Sequence, residues 1–202
     1  YIMGHLGNHQ DRTALTASKP AFDFHKAHEK LYAGLTSAAK VLLVNRPVMA
    51  RNDPESYGWI RALTESHIPF DEMKLAELKP ELLHRWDVVI LAELKKLTQE
   101  QAEMFDTYAE QGGTVLSTGI LPELRCLGIC EVRNSWKDRM SSVFELCEAE
   151  KTLFPRSAEA HYIAPGAILN EVVFCEQTQT CLHLIPEHPF GPPERCLSLI
   201  HI

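Results

Sequence analysis

The sequence predicts an α/β fold: a doubly wound, mostly parallel sheet sandwiched by helices, flavodoxin-like in broad type, then short β-strands and a Pro-rich linker. Three observations point there. Short runs led by Lys40-Val41-Leu42-Leu43-Val44-Asn45, Trp86-Asp87-Val88-Val89-Ile90-Leu91 and Thr114-Val115-Leu116-Ser117-Thr118-Gly119 have the aliphatic character of strands inside a covered parallel sheet. Helical spacing separates them, as βαβ crossovers require. With 202 residues, 45% apolar and 23% charged, the chain is long enough to bury a core without staples.

Tyr1 to Pro20 shows no sustained periodicity and reads as loop. From Pro20, Phe22, His25, His28 and Tyr32 recur at three or four residues, predicting a helix that Gly34 ends. After the first strand, Asp53-Pro54-Glu55 is a helix start with an acceptor, Pro at N1 and an acid in the first turn, and the helix runs to about Ser66. Phe70 to Leu75 reads as a weak strand and Lys79 to His84 as a short helix. Thr98 and Gln101 form a capping box for a helix that buries Ala102, Phe105, Tyr108 and Ala109 and stops at Gly112-Gly113. Beyond Gly128, the segments Glu131 to Val132, Met140 to Cys147, His161 to Ala164, Ile168 to Phe174 and Thr180 to Ile185 are short and β-prone. Pro186 to Arg195 is an extended linker.

Composition excludes several classes of function. Lys plus Arg is 20 against 27 for Asp plus Glu, a net charge of -7, without the basic cluster that tracks nucleic acid. The longest apolar runs are far short of a bilayer span. The six cysteines lack CxxC pairs and read as buried free thiols of a cytoplasmic protein; Cys126 and Cys130, four apart, would share one face of a short helix, and Cys126 reads as a core thiol. His25 and His28 give too few converging ligands for a metal site, and no cofactor is expected. Neither GxGxxG nor a P-loop follows the first strand.

In open α/β sheets, ligands lie beyond the carboxyl ends of the strands. Those ends make Asn45, Arg46, Glu93 and Thr118 the candidate ligand-facing residues. Asn45 and Arg46 suit a carboxylate or sugar hydroxyl, and Glu93 an acid, base or hydroxyl acceptor. Trp59 and Trp136 are of the type that stacks on sugars, whereas Trp86 reads as core. An amidotransferase-like enzyme would need a nucleophilic Cys or Ser on a strained turn after a strand. Ala92-Glu93-Leu94 and Thr118-Gly119-Ile120 supply none, so no catalytic residue is nominated and no elbow is expected.

Several stretches together resemble a known family arrangement. Tyr57-Gly58-Trp59, Arg61-Ala62-Leu63, His67-Ile68-Pro69-Phe70-Asp71, Trp86 to Leu91, the Leu97 to Tyr108 helix and Gly112-Gly113-Thr114-Val115 are similar to the flavodoxin-like trimerisation domain of the family 42 β-galactosidases. The Phe22 to Tyr32 helix and Phe190-Gly191-Pro192-Pro193-Glu194 are similar to segments around it. The resemblance implies a parent glycoside hydrolase whose N-terminal barrel carries two catalytic carboxylates. This segment would be a non-catalytic domain that forms a homo-oligomer, a trimer in that family, and shapes a carbohydrate site. It divides the chain into 1–37, the trailing part of a barrel plus a helix; 38–165, the flavodoxin-like domain; 166–196, the start of a β-rich region or linker; and 197–202, which reads as a translated sequencing adapter. The chain is thus expected to be a fragment. The alternative expectation is an amidotransferase-like enzyme or small-ligand binder that uses the strand-end pocket.

Overall fold

The computed structural model describes residues 12–45, 54–94, 96–137, 143–146, 148–157, 159–164 and 168–185. The chain divides into two compact units, Tyr1–Ala38 and Ala39–Ile202.

In the first unit, α1 spans Arg12–Ala27 and α2 spans Glu29–Tyr32. Helix was expected only from Pro20, yet α1 begins eight residues earlier and holds Pro20 inside it. Ala14, Leu15 and Ala17 are good helix formers, and their propensity carries the helix back where amphipathic periodicity gives no signal. The break falls at His28, whose φ of -114° and ψ of 17° interrupt the helix, and Gly34 follows at φ 73°. His28 Nδ1 lies 2.8 Å from the Phe24 carbonyl oxygen, and the two rings stack at 4.3 Å.

The second unit is built on four parallel strands in the order β2-β1-β3-β4. They are β1 (Val41–Asn45), β2 (Phe70–Lys74), β3 (Val88–Ala92) and β4 (Thr114–Thr118). The helices are α3 (Pro54–Glu65), α4 (Pro80–Leu83) and α5 (Gln99–Glu110). Alternate residues of the two central strands serve opposite layers. Leu42, Val44, Val89 and Leu91 pack with Leu83, Met104 and Phe105 of α4 and α5. Leu43, Ile90 and Ala92 pack with Leu63, Trp59 and Ile60 of α3. Both faces are thereby covered, as the doubly wound expectation requires. Each fully buried Leu, Ile or Phe side chain here stabilises the fold by about 1.5–3 kcal/mol.

The capping box at the start of α5 is present: Gln101 N–H donates to Thr98 Oγ1 at 3.2 Å, and Thr98 N–H donates to Gln101 Oε1 at 3.0 Å. The buried face of α5 differs from the one read in the sequence. It adds Met104 and the carboxylate of Asp106, while Ala102 and Ala109 are only partly covered. Asp106 accepts hydrogen bonds from Cys126 N–H at 2.9 Å, Arg125 Nε at 3.1 Å and Arg125 N–H at 3.3 Å, and so caps a 3-10 turn at Arg125–Leu127. Trp86 is core, as expected, and donates to Asp71 Oδ2 at 2.8 Å.

Two small antiparallel sheets follow, one of β5 (Ile129–Lys137) with β8 (Ile168–Phe174), the other ordered β7-β6-β9. In the latter, β6 is Val143–Glu145, β7 Tyr162–Ile163 and β9 His183–Ile185. The late β-prone segments are thus strands, and β5 is longer than its sequence signal because its exposed polar residues break the alternation. The proposed linker 186–195 lies outside the described residues.

The cysteine reading is corrected. Cys130 and Cys175 form a disulfide across the β5–β8 ribbon, with Cα atoms 5.3 Å apart, while Cys126 and Cys181 are free and exposed rather than buried. Cys126 sits on the 3-10 turn and Cys130 on β5, so they share no helix face. Cys147 and Cys196 lie outside the described residues. Desolvation and, next, the adjacent Asp106 carboxylate push the Cys126 thiol up to about 12. No described helix is long and apolar enough to cross a membrane.

Candidate functional site

The strand order reverses between β1 and β3, so the crevice at their carboxyl ends is where such a sheet binds ligands. Asn45 closes β1, and Arg46 lies outside the described residues. Glu93 follows β3 directly, and Thr118 closes β4. The structure brings the last two together, because Glu93 N–H donates to the Thr118 carbonyl at 2.9 Å.

Glu93 occupies a left-handed backbone conformation, φ 51°. For a residue that carries a Cβ this conformation is uncommon and costs about 1–2 kcal/mol. The sequence reading concerned the missing nucleophile after this strand, and the backbone conformation is a finding beyond it. A strained turn does follow a strand, and a carboxylate stands at its apex where acyl transfer would need a thiol or hydroxyl. The strain could not be read from sequence, since Glu carries no left-handed preference.

Three further residues complete the edge. Trp59, one turn into α3, donates its indole N–H to Thr118 Oγ1 at 2.8 Å. Glu55 in the first turn of α3 reaches the same place. A Cβ built on Gly119 would lie 3.1 Å from Glu55 Cγ and 3.1 Å from Glu93 Cβ, so the two acidic side chains flank this glycine. Gly119 itself has φ 72°, and its missing side chain is what lets both acids approach. Asn170 on β8 donates from Nδ2 to the Gly119 carbonyl at 2.8 Å and accepts from Ser135 Oγ at 2.7 Å. The ribbon is thereby tied to the carboxyl edge of the sheet.

Sequence reading missed Glu55, Gly119 and Asn170 as members of this constellation. Glu55 was legible only as a helix-start acid, and Asn170 carries no local signal because its partner is 51 residues away. Trp136 lies on β5. Chemically, the edge offers two carboxylates as hydrogen-bond acceptors beside an indole. Such an array suits a neutral polyol and repels an anion. Among the described residues, no group of three or more His, Cys, Asp and Glu could hold a metal ion.

Behind β4, between it and the small sheets, lies a cavity of about 450 Å³ lined chiefly by apolar residues such as Leu121, Phe144, Leu169 and Leu184. Ser117 Oγ borders it, buried and without a hydrogen-bond partner.

No protein-family profile matches the sequence, and no curated protein matches it either. Among solved structures, the chain is similar to α-L-fucosidase isoenzyme 2 from Paenibacillus thiaminolyticus, with a TM-score of 0.61 and 18% identity over 93% of this chain and 29% of that one. A β-galactosidase from Bifidobacterium adolescentis matches at a TM-score of 0.35 and 16% identity, over 43% of this chain and 44% of that one, too slight a likeness to carry weight. The chain thus spans less than half the length of either neighbour. What the fucosidase shares is the fold.

Proposed function

We propose that this chain is a non-catalytic α/β segment of a glycoside hydrolase of β-galactosidase-like type. It joins copies of its parent into a homo-oligomer, a trimer on the family resemblance, and shapes the site where carbohydrate binds. The observation that carries this reading is the likeness along 93% of the chain to a stretch within an α-L-fucosidase. The strand-end residues are compatible with it: Glu55 and Glu93 offer carboxylate acceptors of the kind that sugar hydroxyls donate to, and Trp59 offers a partly exposed indole beside them. The two carboxylates that cleave the glycosidic bond then belong to another part of the parent.

Incubating the 202-residue chain with chromogenic galactosides and fucosides tests the assignment. No turnover is expected. Turnover that disappears in Glu55→Gln or Glu93→Gln would place the chemistry on this segment and overturn it.

A second reading, a small-ligand binder at the strand ends, is favoured by the left-handed backbone at Glu93. It expects Glu93→Ala to abolish binding of a monosaccharide followed by NMR titration, and unchanged binding counts against it. The cytoplasmic expectation rested on free thiols. With Cys130 and Cys175 joined, only Cys126 and Cys181 among the described residues still support it.

A further inference from the structure

At the opposite end of the sheet, where β3 and β4 begin, α4 and α5 border a groove of about 810 Å³. Its floor is apolar, made by the buried side chains of Leu83, Trp86, Met104 and Tyr108. Its rim is acidic, with Glu81 on α4, Asp87 before β3, and Glu100 and Glu103 on α5. Lys40 reaches Asp87 at 3.7 Å, and Glu103 accepts from the Gln99 amide at 3.0 Å. The Trp86 ring already takes a cation, Arg85, at 5.2 Å from its centroid. An apolar floor inside a negative rim fits a helix that carries an aromatic anchor flanked by cations.

The chain offers such a helix. On α1, Lys19, Phe22 and Lys26 follow at spacings of three and four and so share one face. Phe22 is 55% exposed and so stands open to a partner. Lys19 pairs with Asp23 on its own helix, and that surface pair is weak enough to exchange for a partner across an interface.

We propose that α1 of a second copy of this chain docks in the groove, with Phe22 on the apolar floor and Lys19 and Lys26 against the acidic rim. The proposal rests on the self-assembly reading above and names the surfaces that would perform it. The contact is head-to-tail, since helix and groove are different patches and every copy carries both. A contact of that kind closes into a ring when its rotation allows, which is how odd-numbered assemblies arise.

Sedimentation velocity of the full chain at micromolar concentration tests this. The double variant Glu81→Lys, Glu103→Lys and the double variant Lys19→Glu, Lys26→Glu are each expected to weaken association at least tenfold. Combining all four substitutions in one chain is expected to restore it, because helix and groove then exchange charge in every copy and remain complementary around any ring. Circular dichroism checks that both remain folded, and Phe22→Ala, which changes no charge, is expected to weaken association to a similar degree. If the wild-type chain associates and none of these variants weakens it, the groove proposal falls while self-assembly stands. If the wild-type chain sediments as single copies throughout, both fall.

Discussion

Replacing Asp106 with alanine separates two things that its hydrogen bonds combine: capping of a turn and pairing with a cation. The Asp106 side chain is 7% exposed and that of Arg125 is 75% exposed. The guanidinium is therefore screened by solvent, and its removal in Arg125→Ala should leave the unfolding midpoint nearly in place. The two backbone N–H groups of Arg125 and Cys126 have no such recourse when their shared acceptor is lost. Each unsatisfied donor costs about 1–3 kcal/mol. Water reaches this surface turn in part, so Asp106→Ala should destabilise by about 2–3 kcal/mol, and at a urea slope near 2 kcal/mol/M the midpoint falls by roughly 1–1.5 M. The pH dependence has a definite sign. Burial by itself raises the Asp106 carboxyl, but hydrogen bonds from Cys126 and Arg125 outweigh it and hold the group below its ordinary value of 3.8. A lowered folded value means that the contribution is complete above the unfolded value and is lost as pH drops through the folded one. Urea melts between neutral pH and pH 3 should therefore show a shallower acid limb in Asp106→Ala than in the wild type. Equal midpoint losses in Asp106→Ala and Arg125→Ala would refute the capping account, because the ion pair alone would then explain the site.

Gly113→Ala should lower the thermal midpoint by about 5–10 °C, a loss of some 2–4 kcal/mol. The new Cβ would overlap Tyr108 Cζ and drive the ring off its hydrogen bond to the Trp86 carbonyl. Chemical reduction, or Cys130→Ser with Cys175→Ser, should destabilise by about 2–4 kcal/mol, given the 45-residue separation of the two cysteines; urea melts with and without reductant measure it. At pH 8 the Cys126 thiol, pushed up to about 12, is ionised to about one part in ten thousand, so iodoacetamide should leave it unmodified. Mass spectrometry of the digested protein reads this directly, and Asp106→Asn should speed the reaction.

The sheet was legible because its signals are local. β1 and β3 are aliphatic on both faces, and the capping box of α5 sits within four consecutive residues. What could not be read depends on partners distant in sequence. Asp106 is buried because its donors arrive 19 and 20 residues later, and Cys130 meets Cys175 only once β5 and β8 are in register. The start of α1 was lost for a different reason: Pro20 looks like a first helical position, and here it lies in the interior. At the candidate site, Glu93 and Thr118 follow from strand ends alone. Glu55 joins them through the packing of α3 on the sheet, which no spacing rule encodes.

The Cys130–Cys175 bond encloses everything between its two ends, including β6 and β7. A protease that cuts once anywhere from 131 to 174 therefore leaves both products covalently attached. On a gel run without reductant the nicked protein would not separate into two pieces. Only after thiol treatment would the cut be seen.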